Sequence, residues 1–155
     1  LEFGCHRGAS MRAWLALDAH PDSRFVGFDS FEGLPETWHG RAPAGTFSAG
    51  GRPPAIEDPR ARFVTGWFQQ TLPGFLREFS PRAPLIVHLD ADLYSSTLFA
   101  LVTLNPAPGT LLFFDEFGDV MHEFRAFEDY LCACARDCAV VAARDDFNKV
   151  AVRLA

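Results

Sequence analysis

Acidic residues recur in this sequence where an apolar run stops. Asp90 and Asp92 follow LIVHL in PLIVHLDADLYSS, Asp29 follows RFVGF, and Asp115–Glu116 follow TLLFF. Short apolar runs of this kind read as buried strands of a parallel sheet. In open α/β sheets, ligands collect at the carboxyl ends of such strands. Asp29, Asp90, Asp115 and Glu116 are then gathered on one edge. Carboxylates that close must be protonated or neutralised, and the economical solution divides the work. Asp29 can accept two hydrogen bonds from a ribose diol. Asp90, Asp115 and Glu116 can share a divalent cation, Mg²⁺ or Mn²⁺, with water in the remaining positions.

The elements that must position these groups follow from the spacing. Leu1–Gly4 reads as the end of a first strand, followed by Gly4 and Gly8 and a helix over Ala9–Asp18. Strand, glycine turn and helix together handle phosphates or nucleotides, because glycine admits a ligand close to the backbone and a helix start offers free N–H groups. Arg24–Phe28 is the second strand and Arg62–Thr65 the third, with a helix over Gln69–Phe79. The irregular stretch from Thr37 to Arg62 carries Trp38, Phe47 and Ile56 and reads as a packed loop. A fourth strand ends at Asp90, and Ser95 or Ser96 suits the N-cap of a helix over Ser96–Leu104. Thr110–Phe114 is the fifth strand, and a helix over His122–Ala135 follows. Cys138–Ala143 and Lys149–Leu154 form a hairpin that places an antiparallel strand at the end of the sheet. The expectation is one doubly wound α/β domain over residues 1–155, with a mostly parallel seven-stranded sheet and an antiparallel last strand. Leu1 falls inside a strand, so further residues are expected upstream.

Composition narrows the function classes. The 155 residues carry a net charge of −6, and the 13 arginines and Lys149 form no basic run. That argues against nucleic-acid and anionic-membrane partners. No apolar run approaches the roughly 18 residues of a membrane span. Cys5, Cys132, Cys134 and Cys138 match no zinc spacing and read as buried free thiols of a cytoplasmic protein.

Five segments in order, LEFGCHRGAS, FVGFDSFEGLPE, FVTGWFQQTLP, HLDADLYSST and FFDEF, resemble the motifs of the macrocin-type O-methyltransferases. These are Rossmann-like class I S-adenosylmethionine-dependent enzymes that methylate sugar hydroxyls of natural products. HEFRAFEDY and KVAVRL are similar to the wider group around them. The resemblance implies that Glu2, Gly4 and Gly8 lie against the methionine part of the cofactor. It implies that Asp29, with Ser30 beside it, binds the ribose, and that Gly66, Trp67 and Phe68 flank the adenine. It also implies that Asp90, Asp115 and Glu116 form the metal triad, with Asp90 as general base and cofactor neighbour. The metal would lower the pKa of the acceptor hydroxyl and aim it at the methyl sulfonium. The sugar enzymes carry two aspartates at the fifth strand, where this sequence has Asp115–Glu116. Their N-terminal helices, which shape the acceptor pocket and subunit contacts, are not matched here. A small-molecule or glycan acceptor and a homo-oligomer are thus expectations of the resemblance alone.

Other residues keep two readings. Asp92 can ligate metal or cap the following helix, with the cap preferred. His88, alternating with Val87 and Leu89, reads as a core histidine rather than a base. His122 and Glu123 can reach an acceptor or start a helix. Tyr94 can line the pocket or pack, and Arg7, beside His6, can meet the cofactor carboxylate or stay in solvent. Two other functions compete with methyl transfer. One is a nicotinamide-dependent oxidoreductase, disfavoured because GCHRG is not G-x-G-x-x-G. The other is a methyltransferase-like module that binds cofactor without chemistry.

Overall fold

Each apolar run read from the sequence becomes a strand, and each 3.6-residue pattern a helix. The computed structural model describes residues 1–40, 42–81 and 83–155; Arg41, in the long irregular stretch, and Arg82 lie outside the described residues. The strands are β1 (Glu2–Phe3), β2 (Phe25–Asp29), β3 (Ala61–Thr65), β4 (Ile86–Leu89), β5 (Leu111–Phe114), β6 (Cys138–Ala143) and β7 (Val150–Leu154). The helices are α1 (Ala9–Leu17), α2 (Phe68–Leu76), α3 (Tyr94–Leu104) and α4 (Glu123–Ala133). The seven-stranded sheet has the order β3-β2-β1-β4-β5-β7-β6. The mostly parallel α/β fold is as the sequence predicts. The chain divides into two compact units, Leu1–Thr71 and Leu72–Ala155.

In the first unit, β2 pairs parallel with both β1 and β3. Phe3 stacks on Phe28 at 4.9 Å between ring centroids, and Phe68 meets Phe3 edge-on at 5.3 Å. Gly27 is required by packing: a Cβ there would stand 2.6 Å from Cys5 Sγ and 2.9 Å from Phe63. Cys5 is the one cysteine that is buried. Cys132 is exposed and Cys134 and Cys138 are half-buried, which corrects the expectation of four buried thiols. The irregular stretch is tied by Leu34–Thr46 and Trp38–Ala42 backbone bonds and by Phe31 O, which accepts from Ala49 and Gly51 N–H. Trp38 and Ile56 are half-buried, but Phe47 is exposed, which corrects the expectation that all three pack. Arg60 was not singled out by the sequence. Its guanidinium accepts no bonds and donates to Asp58, to Leu15 O at 3.1 Å and to Asp18 O, closing the end of α1.

In the second unit, β4 and β5 are parallel, and β7 runs antiparallel between β5 and β6. The last strand in sequence is therefore the antiparallel one, while the edge of the sheet is β6. Leu89, Leu101, Leu112, Phe114, Tyr130, Val152 and Leu154 are buried, and α3 packs against α4. Among the described residues no helix is long and apolar enough to cross a membrane.

Candidate active site

The first unit ends its three parallel strands on the predicted cofactor residues. Gly4 and Gly8 both hold positive φ, 88° and 73°, a region that L side chains rarely adopt. Around this turn the Asp29 carboxylate does most of the holding. Its Oδ2 accepts from Cys5 N–H at 2.8 Å and His6 N–H at 2.7 Å, and its Oδ1 accepts from Phe31 N–H at 2.7 Å. Three of roughly four lone-pair directions are used, which leaves one open on Oδ1. The buried Glu2 carboxylate accepts from Ser10 Oγ, joining β1 to the first turn of α1. Ser30 is buried and its Oγ accepts from Glu32 N–H at 3.1 Å. Gly66 donates to Asp29 O at 2.9 Å and has φ 137°, and Trp67 O accepts from Thr71 N–H at 3.1 Å to open α2. Arg7 is exposed. Space at Gly8 is filled from within: Pro54 and Ile56 of the long loop would lie 2.8 and 3.1 Å from a Cβ there. That side of the glycine turn belongs to the loop.

The second unit gathers a different set from the one the sequence suggested. His88, Asp90 and Asp115 each offer a ligand atom, and these atoms lie within 4.8 Å of one another. His88 is buried, as read, and its Nε2 faces Asp115 Oδ1 at 3.8 Å. Glu116 turns elsewhere: its Oε2 accepts from Asn148 Nδ2 at 3.0 Å. Asp115 is also paired with Lys149 Nζ. Its carboxyl is held down at about 2, by His88 and then Lys149, against the opposing effect of burial.

A family model for the macrocin O-methyltransferases (TylF) matches residues 52–137, more than half of the chain and the whole of the β4–β5 segment. The chain belongs to the macrocin O-methyltransferase family. It is similar to the 8-demethyl-8-(2,3-dimethoxy-alpha-L-rhamnosyl)-tetracenomycin-C 4'-O-methyltransferase of Streptomyces olivaceus, at 33% identity over 81% of this chain. The chain spans 57% of the length of that relative. Among solved structures it resembles the calicheamicin methyltransferase CalS11, with a TM-score of 0.79 at 24% identity over 98% of this chain and 70% of the other. It also resembles the O-methyltransferase NovP, with a TM-score of 0.73 at 21% identity over 99% of this chain and 70% of the other. Both likenesses show the fold.

Against this family background, the start of α3 departs from the sequence reading. Neither Ser95 nor Ser96 caps it, and neither does Asp92. The N-cap is Leu93, which offers no side-chain acceptor, and both serines lie inside the helix. The N–H of Tyr94 is instead accepted by His122 Nδ1 at 3.1 Å, from 28 residues along the chain. Tyr94 sends its hydroxyl to Asp129 at 3.0 Å. Asp92 stands in the left-handed region at φ 59°, a strained state for a residue with a Cβ. Its carboxyl is pushed up to about 7, first by burial and then by Asp90, Glu116, Asp115 and Asp119. The sign follows directly. A folded pKa above the ordinary carboxylate value means the folded state holds the extra proton, so stability falls as pH rises from about 4 to about 7. In chelator, Asp92→Asn should raise the unfolding free energy at pH 8 by about 2 kcal/mol and leave it nearly unchanged at pH 4. Urea unfolding at the two pH values checks this; parallel pH curves for wild type and variant would contradict it.

Proposed function

We propose that this chain carries the transfer chemistry of an S-adenosylmethionine-dependent O-methyltransferase whose acceptor is a hydroxyl on a sugar of a natural product or a related small molecule. The observation that carries the reading is the His88–Asp90–Asp115 cluster at the carboxyl ends of two parallel strands, in a member of this family. The printed name of the Streptomyces olivaceus relative supports the acceptor class. In this reading Glu2, Gly4, Arg7, Gly8, Asp29, Ser30, Gly66, Trp67, Phe68 and Asp90 hold the cofactor. Asp29 keeps the glycine turn in register and spends its remaining lone pair on the ribose. Asp90 takes the proton of the acceptor hydroxyl as the oxygen attacks the methyl group. The family match favours methyl transfer over the hydride-transfer alternative.

The donor set also suits a divalent cation. Two carboxylates and an imidazole fit Mn²⁺ at least as well as Mg²⁺. Asp90 and Asp115 would hold it, with His88 or Glu116 as the third ligand, and when bound it would make the acceptor hydroxyl more acidic. One observation favours a second reading in which no metal is used. Lys149 already compensates the charge of Asp115. Turnover that persists in chelator would select that version. Location in the cytoplasm, the absence of nucleic-acid or membrane partners, the single domain and a homo-oligomeric state belong to this proposal as well. Calorimetry with S-adenosylmethionine is its test: binding with Kd on the order of 1–100 μM is expected. A folded chain that takes up no S-adenosylmethionine or S-adenosylhomocysteine would overturn it.

A further inference from the structure

We propose that Glu123 is a positioning residue whose one carboxylate clamps the ends of β4 and β5, and so sets the spacing of Asp90 and Asp115. This rests on the functional reading above for its consequence, though not for its geometry. Glu123 is fully buried at the first position of α4. Its Oε1 accepts from Ala91 N–H at 3.2 Å and its Oε2 from Glu116 N–H at 2.9 Å. Ala91 directly follows Asp90, and Glu116 directly follows Asp115. One rigid planar group thus holds the backbone beside both acids, from residues 32 and 7 positions away. Between these points the strands are joined by Asp115 N–H to Leu89 O at 3.0 Å. The preceding residue adds a third tie, His122 Nδ1 on Tyr94 N–H. His122 and Glu123 therefore bind three backbone N–H groups: Ala91 and Glu116 after β4 and β5, and Tyr94 at the start of α3.

A carboxylate is otherwise an expensive choice here. Burial pushes Glu123 up to about 8, with Asp90 and Asp92 adding to the effect and only the two N–H bonds opposing it. A residue needed only to start a helix or fill space would not require an acid among acids. In its ionised form, which the two N–H bonds favour, the acid supplies two acceptors and no donor, set about 2.2 Å apart in a plane. An offset of about 1 Å between catalytic groups costs on the order of 100-fold in rate, which gives such a clamp its value.

Glu123→Gln separates this role from simple packing. The amide keeps one acceptor but sets an NH₂ against the other N–H, at nearly the same volume. Hydrogen exchange should show protection lost at both Ala91 and Glu116 by roughly tenfold, while β7 is unchanged. The kcat for methyl transfer should fall about 10- to 100-fold, with KM for S-adenosylmethionine within about threefold. Wild-type protection at Ala91 and Glu116 should be equal, since one group closes both, and this can be measured even if the variant does not fold. Unequal wild-type protection, or full kcat in the folded variant, would overturn the proposal. Wild-type protein that shows no methyl transfer would sink the functional reading instead, while the exchange data would still judge the clamp.

Discussion

Asp90→Asn is expected to lower the rate of methyl transfer by about 10³-fold and to leave the fold intact. Asp90 lies at the end of β4, half-buried, within ligand distance of His88 and Asp115. Asparagine has the same shape but neither the charge to hold a cation nor the basicity to take a proton. Removing a positioned base costs about 10²–10⁴-fold by itself. Because Asp90 is also proposed as a cofactor neighbour, affinity for S-adenosylmethionine should weaken, but by no more than about fivefold. Kinetics and calorimetry on the same preparation separate the two effects. Glu116→Gln is the informative control. Glu116 Oε2 is held by Asn148 rather than turned to the cluster, so its loss should cost far less than that of Asp90. An equal loss would restore Glu116 as a full member of the acidic set.

The second large effect is expected at Asp29. Asp29→Ala removes the acceptor for Cys5, His6 and Phe31 N–H at once. Bonds to a charged acceptor contribute about 1–3 kcal/mol each, and of the residues left without it Cys5 and Phe31 are buried while His6 is exposed. Stability should fall by about 3 kcal/mol, read as a shift in the urea midpoint at constant slope. Under the proposed cofactor assignment, affinity should fall about 100-fold or more, because the glycine turn is no longer held and the proposed ribose acid is gone. A variant that keeps wild-type stability would show that the turn is held by its glycines and by Glu2–Ser10 alone. A stable variant that keeps cofactor affinity would remove Asp29 from the site.

Features set by local pattern were legible in the sequence. Phe25–Asp29, Leu111–Phe114 and Cys138–Ala143 are apolar runs bounded by turn residues, and each forms the strand its pattern demands. The positions of Asp29, the last residue of β2, and of Asp90 and Asp115, directly after β4 and β5, were legible for the same reason. What escaped was side-chain partnership across long stretches of chain. Asp92, Ser95 and Ser96 all have the right chemistry to cap α3, yet its first N–H is taken by His122. Lys149 reaches Asp115 from the β6–β7 hairpin, and Glu123 reaches Ala91 from α4. No periodicity encodes such pairs; only the fold brings them together. His88 shows the limit from another side. Alternation correctly marked it as buried, but alternation says nothing about what a buried imidazole faces.

The most direct measurement follows transfer of an isotopically labelled methyl group from S-adenosylmethionine to a panel of glycosylated small-molecule acceptors, with wild type and Asp90→Asn run side by side. The account predicts label on one sugar hydroxyl with wild type and about 10³-fold less with the variant, at nearly equal cofactor occupancy. Transfer at equal rates by the two proteins, or cofactor bound by wild type with no transfer to any hydroxyl acceptor, would contradict it.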